Sequence, residues 1–440
     1  MSLYWALYNV VGTAAAAISL PLWLPYVLAK RKYRLSLLKR CGMIPAQAAQ
    51  ALARKPNIWI HAVSVGEVEL AGTLLERLRP HYPGFQFVLT VTTLTGFEVA
   101  QKRLGQAAVV LFFPIEFWPV MNRVVRVVRP VLALIVETEI WPNFIYALDR
   151  LGVPCAIVNG RLSAKSFANY LKVKPMIRDV LNRITRFNMQ SEQGARRLLY
   201  LGVAPERVQV LGNIKFDAAN IVAETRPDAA LLAELQVPAG TPIFLAAALE
   251  KTGQEDPVAL EVLAALRTCF PNAALMIVPR HPARGPAIAE LVRANGFVPR
   301  RRSQGEVFDD PATQVFIVDT VGELRRFYTL ATTVFVGKSL FPPGGGQNMI
   351  EPVALGVPTV YGPYTANFRG IADTLAEHDG ARIVADQREL AARVIELWEH
   401  PEQMREMVTR GQAFIRSQQG ATAATVRGVL ELLPPPAAKA

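Results

Sequence analysis

Residues able to do chemistry stand immediately after apolar, β-branched runs at several points of this 440-residue chain. The first such run is IWIHAVSVGE, Ile58 to Glu67, which stays uncharged to Gly66 and then delivers one carboxylate, Glu67, three residues after Ser64. It reads as a buried strand and a tight loop, with the helical periodicity of Leu70 to Leu78 beginning after it. A carboxylate at the carboxyl end of a strand stands where open α/β sheets bind ligands and is free to act as a general base. An acidic residue beside a helix start is equally what the helix dipole favours, so base and helix cap are both open. Further on, Glu137 and Glu139 flank Thr138 behind another apolar run. Two carboxylates two residues apart on an extended chain point the same way, which suits an acid-base pair, a metal, or ion pairing to Arg161 in the polar loop it shares with Lys165. Lys215, before Phe216 and Asp217, is a cation suited to phosphate groups.

In the second half, Pro279, Arg280 and His281 close a strand, and arginine there can neutralise a phosphate through paired hydrogen bonds. A solvated strand-end charge is the alternative, and His281 has no second histidine nearby for a metal. Gly322 and Glu323 open a helix after Asp319 and Thr320, to meet a base or ribose or to cap the helix. Gly344, Gly345 and Gly346 precede a helix carrying Glu351. Three glycines let backbone amides approach an anion and a helix start adds partial positive charge; a merely flexible turn is the other reading. Glu351 can accept two hydrogen bonds from a ribose diol.

These groups must be positioned by strands and helices in alternation. Asn57 to Val63, Gln86 to Val91, Val109 to Phe113, Val131 to Val136, Cys155 to Val158 and Val208 to Leu211 read as strands, separated by helical stretches. The pattern restarts with Ile243 to Ala248, Ala274 to Val278, Val315 to Val318, Thr333 to Val336, Thr359 to Tyr361 and Ala381 to Val384. Such βα repetition predicts parallel sheets covered on both faces: an α/β protein of two Rossmann-like domains facing across a cleft. The expected division is an anchor and basic flank over 1–40, a first domain over 41–220, a linker over 221–240, a second domain with C-terminal helices over 241–433, and a disordered tail over 434–440.

From Ser2 to Ala29 no residue is charged, with Tyr4, Trp5, Tyr8, Trp23 and Tyr26 toward the ends of the run, and Lys30, Arg31, Lys32, Arg34, Lys39 and Arg40 follow. Positive charge after the apolar run, not before it, predicts a retained membrane anchor with the bulk of the protein on the cytoplasmic side. The length favours one crossing, while Pro21 and Pro25 leave open a helix lying in one leaflet. The net charge of +12 suits nucleic acid, anionic membranes or phosphorylated substrates. With no zinc-finger or interleaved aromatic pattern, a nucleic-acid partner is not expected. Three scattered cysteines predict neither a disulfide framework nor a metal cluster, and place the catalytic part in a reducing compartment.

HAVSVGE at His61 to Glu67 resembles the signature of the Kdo transferases, which move 3-deoxy-D-manno-oct-2-ulosonic acid from CMP-Kdo onto the lipid A precursor. VTTLTG (Val91 to Gly96), ETEIWPN (Glu137 to Asn143), NGRLSAKS (Asn159 to Ser166), GNIKFD (Gly212 to Asp217), VPRHP (Val278 to Pro282), VGEL (Val321 to Leu324), GGGQNMIEP (Gly344 to Pro352) and YGPYTANF (Tyr361 to Phe368) extend it in the family's order over nearly the whole chain. The resemblance implies a GT-B glycosyltransferase whose first domain takes the acceptor and whose second takes the nucleotide sugar. It implies that Glu67 is the proton acceptor and that Pro279, Arg280, Val321, Gly322, Glu323, Asn348, Met349, Ile350 and Glu351 hold CMP. Ser64, Arg161 and Lys215 are the candidates on the acceptor side. It implies no metal and no cofactor beyond CMP-Kdo as donor, and the inner membrane, cytoplasmic face, as location. Two departures stand out: the segment Leu249 to Asp256 lacks the family's usual histidine, and Lys338 replaces a usual glycine before Ser339. They keep open a different nucleotide sugar, or a membrane-bound homologue without turnover.

Overall fold

The computed structural model describes residues 2–29, 31–217, 227–250 and 253–434. It forms two compact units, Met1–Asp217 with Gln419–Ala440, and Ala218–Gln418. The first is built on seven parallel strands, β1 Asn57–Ala62, β2 Gln86–Val91, β3 Val109–Phe112, β4 Pro130–Val136, β5 Cys155–Gly160, β6 Arg186–Met189 and β7 Val208–Val210, in the order β3-β2-β1-β4-β5-β6-β7. The second has β8 Ile243–Leu249, β9 Ala274–Pro279, β10 Val298–Arg301, β11 Gln314–Ile317, β12 Thr333–Val336, β13 Thr359–Tyr361 and β14 Arg382–Ile383, again all parallel, in the order β10-β11-β9-β8-β12-β13-β14.

Strands with both faces covered must be apolar throughout, and the period of two then sorts their residues between two cores. Ile58, Ile60 and Ala62 of β1, Leu132, Leu134 and Val136 of β4, and Ala156 and Val158 of β5 fill one. Trp59, Ala133, Ile135, Cys155 and Ile157 fill the other. The buried Trp59 indole donates to Thr90 Oγ1 at 2.8 Å, so its one donor is satisfied. In each sheet the winding direction reverses between two central strands, β1 and β4 in the first and β8 and β12 in the second. Loops leaving the carboxyl ends of those pairs flank the crevice where such sheets bind ligands.

Two expected boundaries are corrected. The helix Ala421–Leu432, expected in the second domain, buries Ala421, Val426 and Val429 in the core that holds Ile58 of β1. Asp217 fastens its start, accepting from the amides of Gly420 at 2.6 Å and of Thr422. The expected linker carries a helix, Ala229–Leu235, capped by Asp228 and with Leu231 and Leu235 buried. Asp228 also receives Arg326 at 2.8 Å, so this stretch is part of the second unit. Residues 218–226 and the tail from 435 lie outside the described residues. Strands β6 and β10 escaped the sequence reading because Arg186, Asn188, Arg300, Arg301 and Pro299 interrupt the apolar pattern that identifies their neighbours.

The uncharged N-terminal run is one helix, Leu3–Ala29, which continues through Pro21 and Pro25 and is followed by the helix Arg31–Arg40. Its first 20 residues, Leu3–Leu22, have a mean hydropathy of 1.4 and are long and apolar enough to cross a bilayer.

Candidate active site

The loop after β1 is shorter than the sequence suggested, because the next helix, Val65–Leu78, begins at once with Ser64 as its cap. Glu67 therefore lies in the first helical turn. Ser64 Oγ accepts from the Glu67 amide at 3.5 Å, and the Glu67 carboxylate accepts from the Val63 amide at 2.7 Å and from the Ser64 hydroxyl at 2.9 Å. This reciprocal arrangement is close to a capping box, so the helix-cap reading is realised in the structure. It also fixes the carboxylate. Thr93, at the head of the helix after β2, holds the same loop from the other side, donating to the Val63 carbonyl through its amide at 3.0 Å and its hydroxyl at 2.9 Å. Gly96 is required there: a Cβ would lie 2.7 Å from Thr93 Oγ1 and 2.9 Å from Val91 Cγ1.

Across the switch point, Glu137 follows β4 directly and is held at φ +59°. Its carboxylate pairs with Lys215 Nζ at 3.1 Å. Lys215, expected on the acceptor side, is thus engaged with Glu137. Arg161 is tied through its amide to Thr138 Oγ1 at 2.7 Å. Asn159, also at positive φ, accepts from the Ile214 amide at 3.0 Å, and Asn213 caps Lys215 at 3.0 Å. The motifs after β1, β4, β5 and β7 thus converge on Glu67, Glu137, Glu139 and Lys215. Burial raises the Glu67 pKa, and Glu137 adds to the rise against the lowering by the Val63 amide, Ser64 and Lys215. Burial and the two neighbouring carboxylates push Glu139 up to about 7. His61, within the first motif, is fully buried and stacked on Phe113 at 3.9 Å. Burial holds its pKa down to about 3, so it is neutral.

The second unit shows the same plan. Glu255, almost wholly buried, opens the helix Glu255–Cys269 after β8 and accepts from the amides of Lys338, Ser339 and Leu340 at 2.7, 3.0 and 3.1 Å. Sequence reasoning did not single it out; its signal was a carboxylate after an apolar strand. Lys338, the departure from the family's glycine, sits at φ +59° with Nζ 3.1 Å from Glu250. Lys251 and Thr252 of the histidine-lacking segment lie outside the described residues.

The residues expected to hold CMP follow β9, β11 and β12. Pro279 ends β9, and Arg280 beyond it is exposed. Val321 and Gly322 are exposed, and Glu323 is taken up by Arg302 at 2.8 Å and by the Thr320 hydroxyl, which holds its pKa below the usual carboxylate value. Met349 and Ile350 are core residues, leaving only their backbone to meet a ligand. Asn348 Oδ1, just before the helix Ile350–Ala354, accepts from the Ile350 amide at 3.1 Å, and burial raises the pKa of Glu351 against the lowering by Arg325.

The glycine loop corrects one expectation. The amides of Gly345 and Gly346 donate to the carbonyls of Tyr364 and Lys338, both at 2.8 Å, so neither is open to an anion. The glycines are needed for shape: all three have positive φ, and a Cβ on Gly344 would lie 2.3 Å from Tyr364 Cβ. Among the described residues no group of three or more His, Cys, Asp or Glu is arranged to hold a metal ion.

Paired parallel sheets with their motifs at the switch points define the class, a GT-B-like α/β protein. A solved glycosyltransferase from Rickettsia africae superposes with a TM-score of 0.56 over 86% of this chain and 99% of that one, at 12% identity, a likeness of fold. The family description 3-deoxy-D-manno-octulosonic-acid transferase (kdotransferase) matches residues 35–218. The 3-deoxy-D-manno-octulosonic acid transferase of Haemophilus influenzae is 32% identical over 92% of each chain, and that of Chlamydophila psittaci 30% over 90% of each. The chain belongs to the Kdo transferase family, and is a glycosyltransferase.

Proposed function

We propose that the enzyme transfers Kdo from CMP-Kdo to the lipid A precursor, lipid IVA, in one inverting displacement with Glu67 as general base. The observation that carries this is the Glu67 carboxylate, fixed by Val63 and Ser64 at the switch point of the first sheet with its pKa raised by burial. Attack by a sugar hydroxyl needs a base held in one place and of tuned basicity. The acceptor hydroxyl loses its proton to Glu67 as its oxygen bonds to the anomeric carbon, and the bond to the CMP phosphate breaks with its electron pair leaving on CMP. In the second unit, exposed Arg280 is the countercharge for the phosphate and Glu351 the acceptor for the ribose hydroxyls. The backbone of Gln347 to Ile350, not of Gly345 and Gly346, is assigned the remaining nucleotide contacts. The apolar helix Leu3–Ala29 attaches the enzyme to the inner membrane beside its lipid acceptor, with the catalytic units on the cytoplasmic face.

The test is transfer by purified enzyme to lipid IVA with CMP-Kdo, UDP-hexoses or no donor, together with thermal shift by CMP and UMP. A ligand at 100 times its Kd adds about 2.7 kcal/mol. CMP-dependent stabilisation and Kdo transfer that persists in EDTA are expected. Preference for uridine nucleotides would overturn the donor assignment.

A further inference from the structure

The loop after β12 carries a lysine where the backbone suits a glycine. Lys338 sits at φ +59°, a left-handed conformation that a residue with a side chain adopts at a cost and glycine without one. The chain fixes it there on both sides. The Gly337 amide donates to the Ala247 carbonyl at 2.8 Å, the Lys338 amide to Glu255 Oε2 at 2.7 Å, and the Gly346 amide to the Lys338 carbonyl at 2.8 Å. The ammonium lies 3.1 Å from the carboxylate of Glu250, which follows β8, and both side chains are partly buried. An ion pair of this kind adds little stability and does not offset the strained backbone, and strain kept without a return in stability points to function.

The place of the pair in the sheet says where that function lies. β8 and β12 are the neighbours between which the winding of the second sheet reverses, and their carboxyl ends flank the crevice where such a sheet binds its ligand. Arg280 stands on the other side of β8, after β9, exposed and with its amide on the Leu249 carbonyl at 2.9 Å. Neighbouring strands are about 4.8 Å apart, so Arg280 and Lys338 leave strand ends roughly 10 Å apart, and side chains as long as theirs can meet groups of one small ligand. The amides of Lys338, Ser339 and Leu340 are taken by the Glu255 carboxylate, and those of Gly345 and Gly346 by backbone carbonyls. An anion at the end of β12 therefore meets the Lys338 ammonium and not these amides.

The proposed donor brings two anions on one carbon. Kdo is a 2-ulosonic acid, so its carboxylate is attached to the anomeric carbon that also bears the phosphate of CMP. A site for it needs two cations side by side, one for each group. The second cation separates this donor from a nucleotide hexose, which lacks the carboxylate. An ammonium has three donors and Glu250 takes one, so the others are left for a further acceptor.

We infer that Lys338 binds the carboxylate of the ulosonic acid and so selects the donor, with Arg280 on the phosphate and Glu250 holding the ammonium in the crevice between turnovers. This rests on the CMP-Kdo reading proposed above and adds to it the group that recognises the sugar. The Glu250 carboxylate beside the ammonium suits the hydroxyls of the same sugar as an acceptor.

The test is Lys338→Met, which keeps the stem and removes the charge, with Lys338→Arg, which keeps the charge. Each is compared with wild type for the KM of CMP-Kdo in Kdo transfer and for inhibition by CMP, which has the phosphate without the carboxylate. In the methionine variant the KM for CMP-Kdo is expected to rise at least about tenfold, the effect of one lost charge-assisted hydrogen bond, with the CMP inhibition constant changed less than about twofold. The arginine variant is expected to stay within about fivefold of wild type in both. A rise shared equally by CMP would place Lys338 on the nucleotide, an unchanged KM would make its pair with Glu250 a structural one, and an arginine variant as impaired as the methionine one would make shape and not charge the requirement. Each of these overturns the inference and leaves the donor reading standing, because the wild-type enzyme still transfers Kdo. A wild-type enzyme that takes no Kdo from CMP-Kdo would remove that reading and the inference with it.

Discussion

Replacing Glu67 by glutamine separates its two roles, because the geometry lets the helix cap survive while the base is lost. The carboxylate accepts two hydrogen bonds, from the Val63 amide at 2.7 Å and the Ser64 hydroxyl at 2.9 Å. The Val63 donor cannot reverse, so the variant's amide oxygen keeps it. The serine hydroxyl is donor or acceptor by rotation and turns to accept from the new amide group. Both bonds persist, so the change in folding stability stays within about 1 kcal/mol, the net worth of one hydrogen bond. Loss of the base costs at least about a hundredfold in transfer, roughly 2.7 kcal/mol of barrier. Glu67→Ala leaves the Ser64 cap in place but strips the Val63 amide of its acceptor, at about 1 to 3 kcal/mol of stability. Because burial raises the Glu67 pKa, wild-type transfer falls as pH drops through a value above that of an ordinary glutamate, and the glutamine variant lacks that acidic limb. Initial rates of Kdo transfer across pH, thermal melts of all three proteins and CMP binding are the measurements. A glutamine variant that transfers at near the wild-type rate refutes the assignment and turns attention to Glu139. One that melts far below wild type makes Glu67 a cap and nothing more, and one that loses CMP binding places it in the donor site.

Glu116→Gln is expected to flatten the pH dependence of stability. Burial lifts the folded pKa of Glu116 from 4.5 to about 7, so its favourable contribution is complete below the unfolded value and is lost as pH rises through about 7, at up to about 1.4 kcal/mol per pH unit; urea melts at pH 5 and 8 that show the same slope for both proteins would contradict it. Glu255→Ala orphans three buried backbone amides and should destabilise by about 3 kcal/mol or more, and unaltered denaturation would show that the loop after β12 is held by other contacts. Lys338→Gly relieves a left-handed backbone, a gain of about 1 kcal/mol, against a partly exposed ion pair with Glu250 worth less than that; a lower melting temperature would mean that the pair dominates.

Much of this architecture is written in short-range pattern. Uncharged β-branched runs announced most strands, and because catalytic groups in such sheets follow strand ends, the positions of Glu67, Glu137, Arg280 and Glu351 were legible with them. What pattern does not carry is which partner a charged group meets. Nothing near Glu137 in sequence points to Lys215, 78 residues on, and nothing near Glu255 points to the three amides after β12. The helix Ala421–Leu432 joins the first unit through groups far from it in sequence, Asp217 at its first amides, Arg186 at Glu431 and Tyr82 at the Leu433 carbonyl.

The expectation about the glycine loop failed differently. Three consecutive glycines signal close backbone approach, and that is correct, but the approaching group is the chain itself, at Tyr364 and Thr365, not an anion. Glu67 shows the converse. Sequence offered base and cap as alternatives; the structure realises the cap, and in the proposed mechanism the cap orders the base. A free glutamate samples several rotamers and would have to be ordered at each turnover. The Val63 amide and Ser64 hydroxyl order it in advance, occupying one lone pair on each oxygen and leaving others for a substrate proton. Those same hydrogen bonds oppose the rise in pKa that burial imposes, so a largely buried carboxylate keeps its ionised form accessible. In the proposed mechanism, the cap that orders the Glu67 carboxylate in advance therefore makes it a better base.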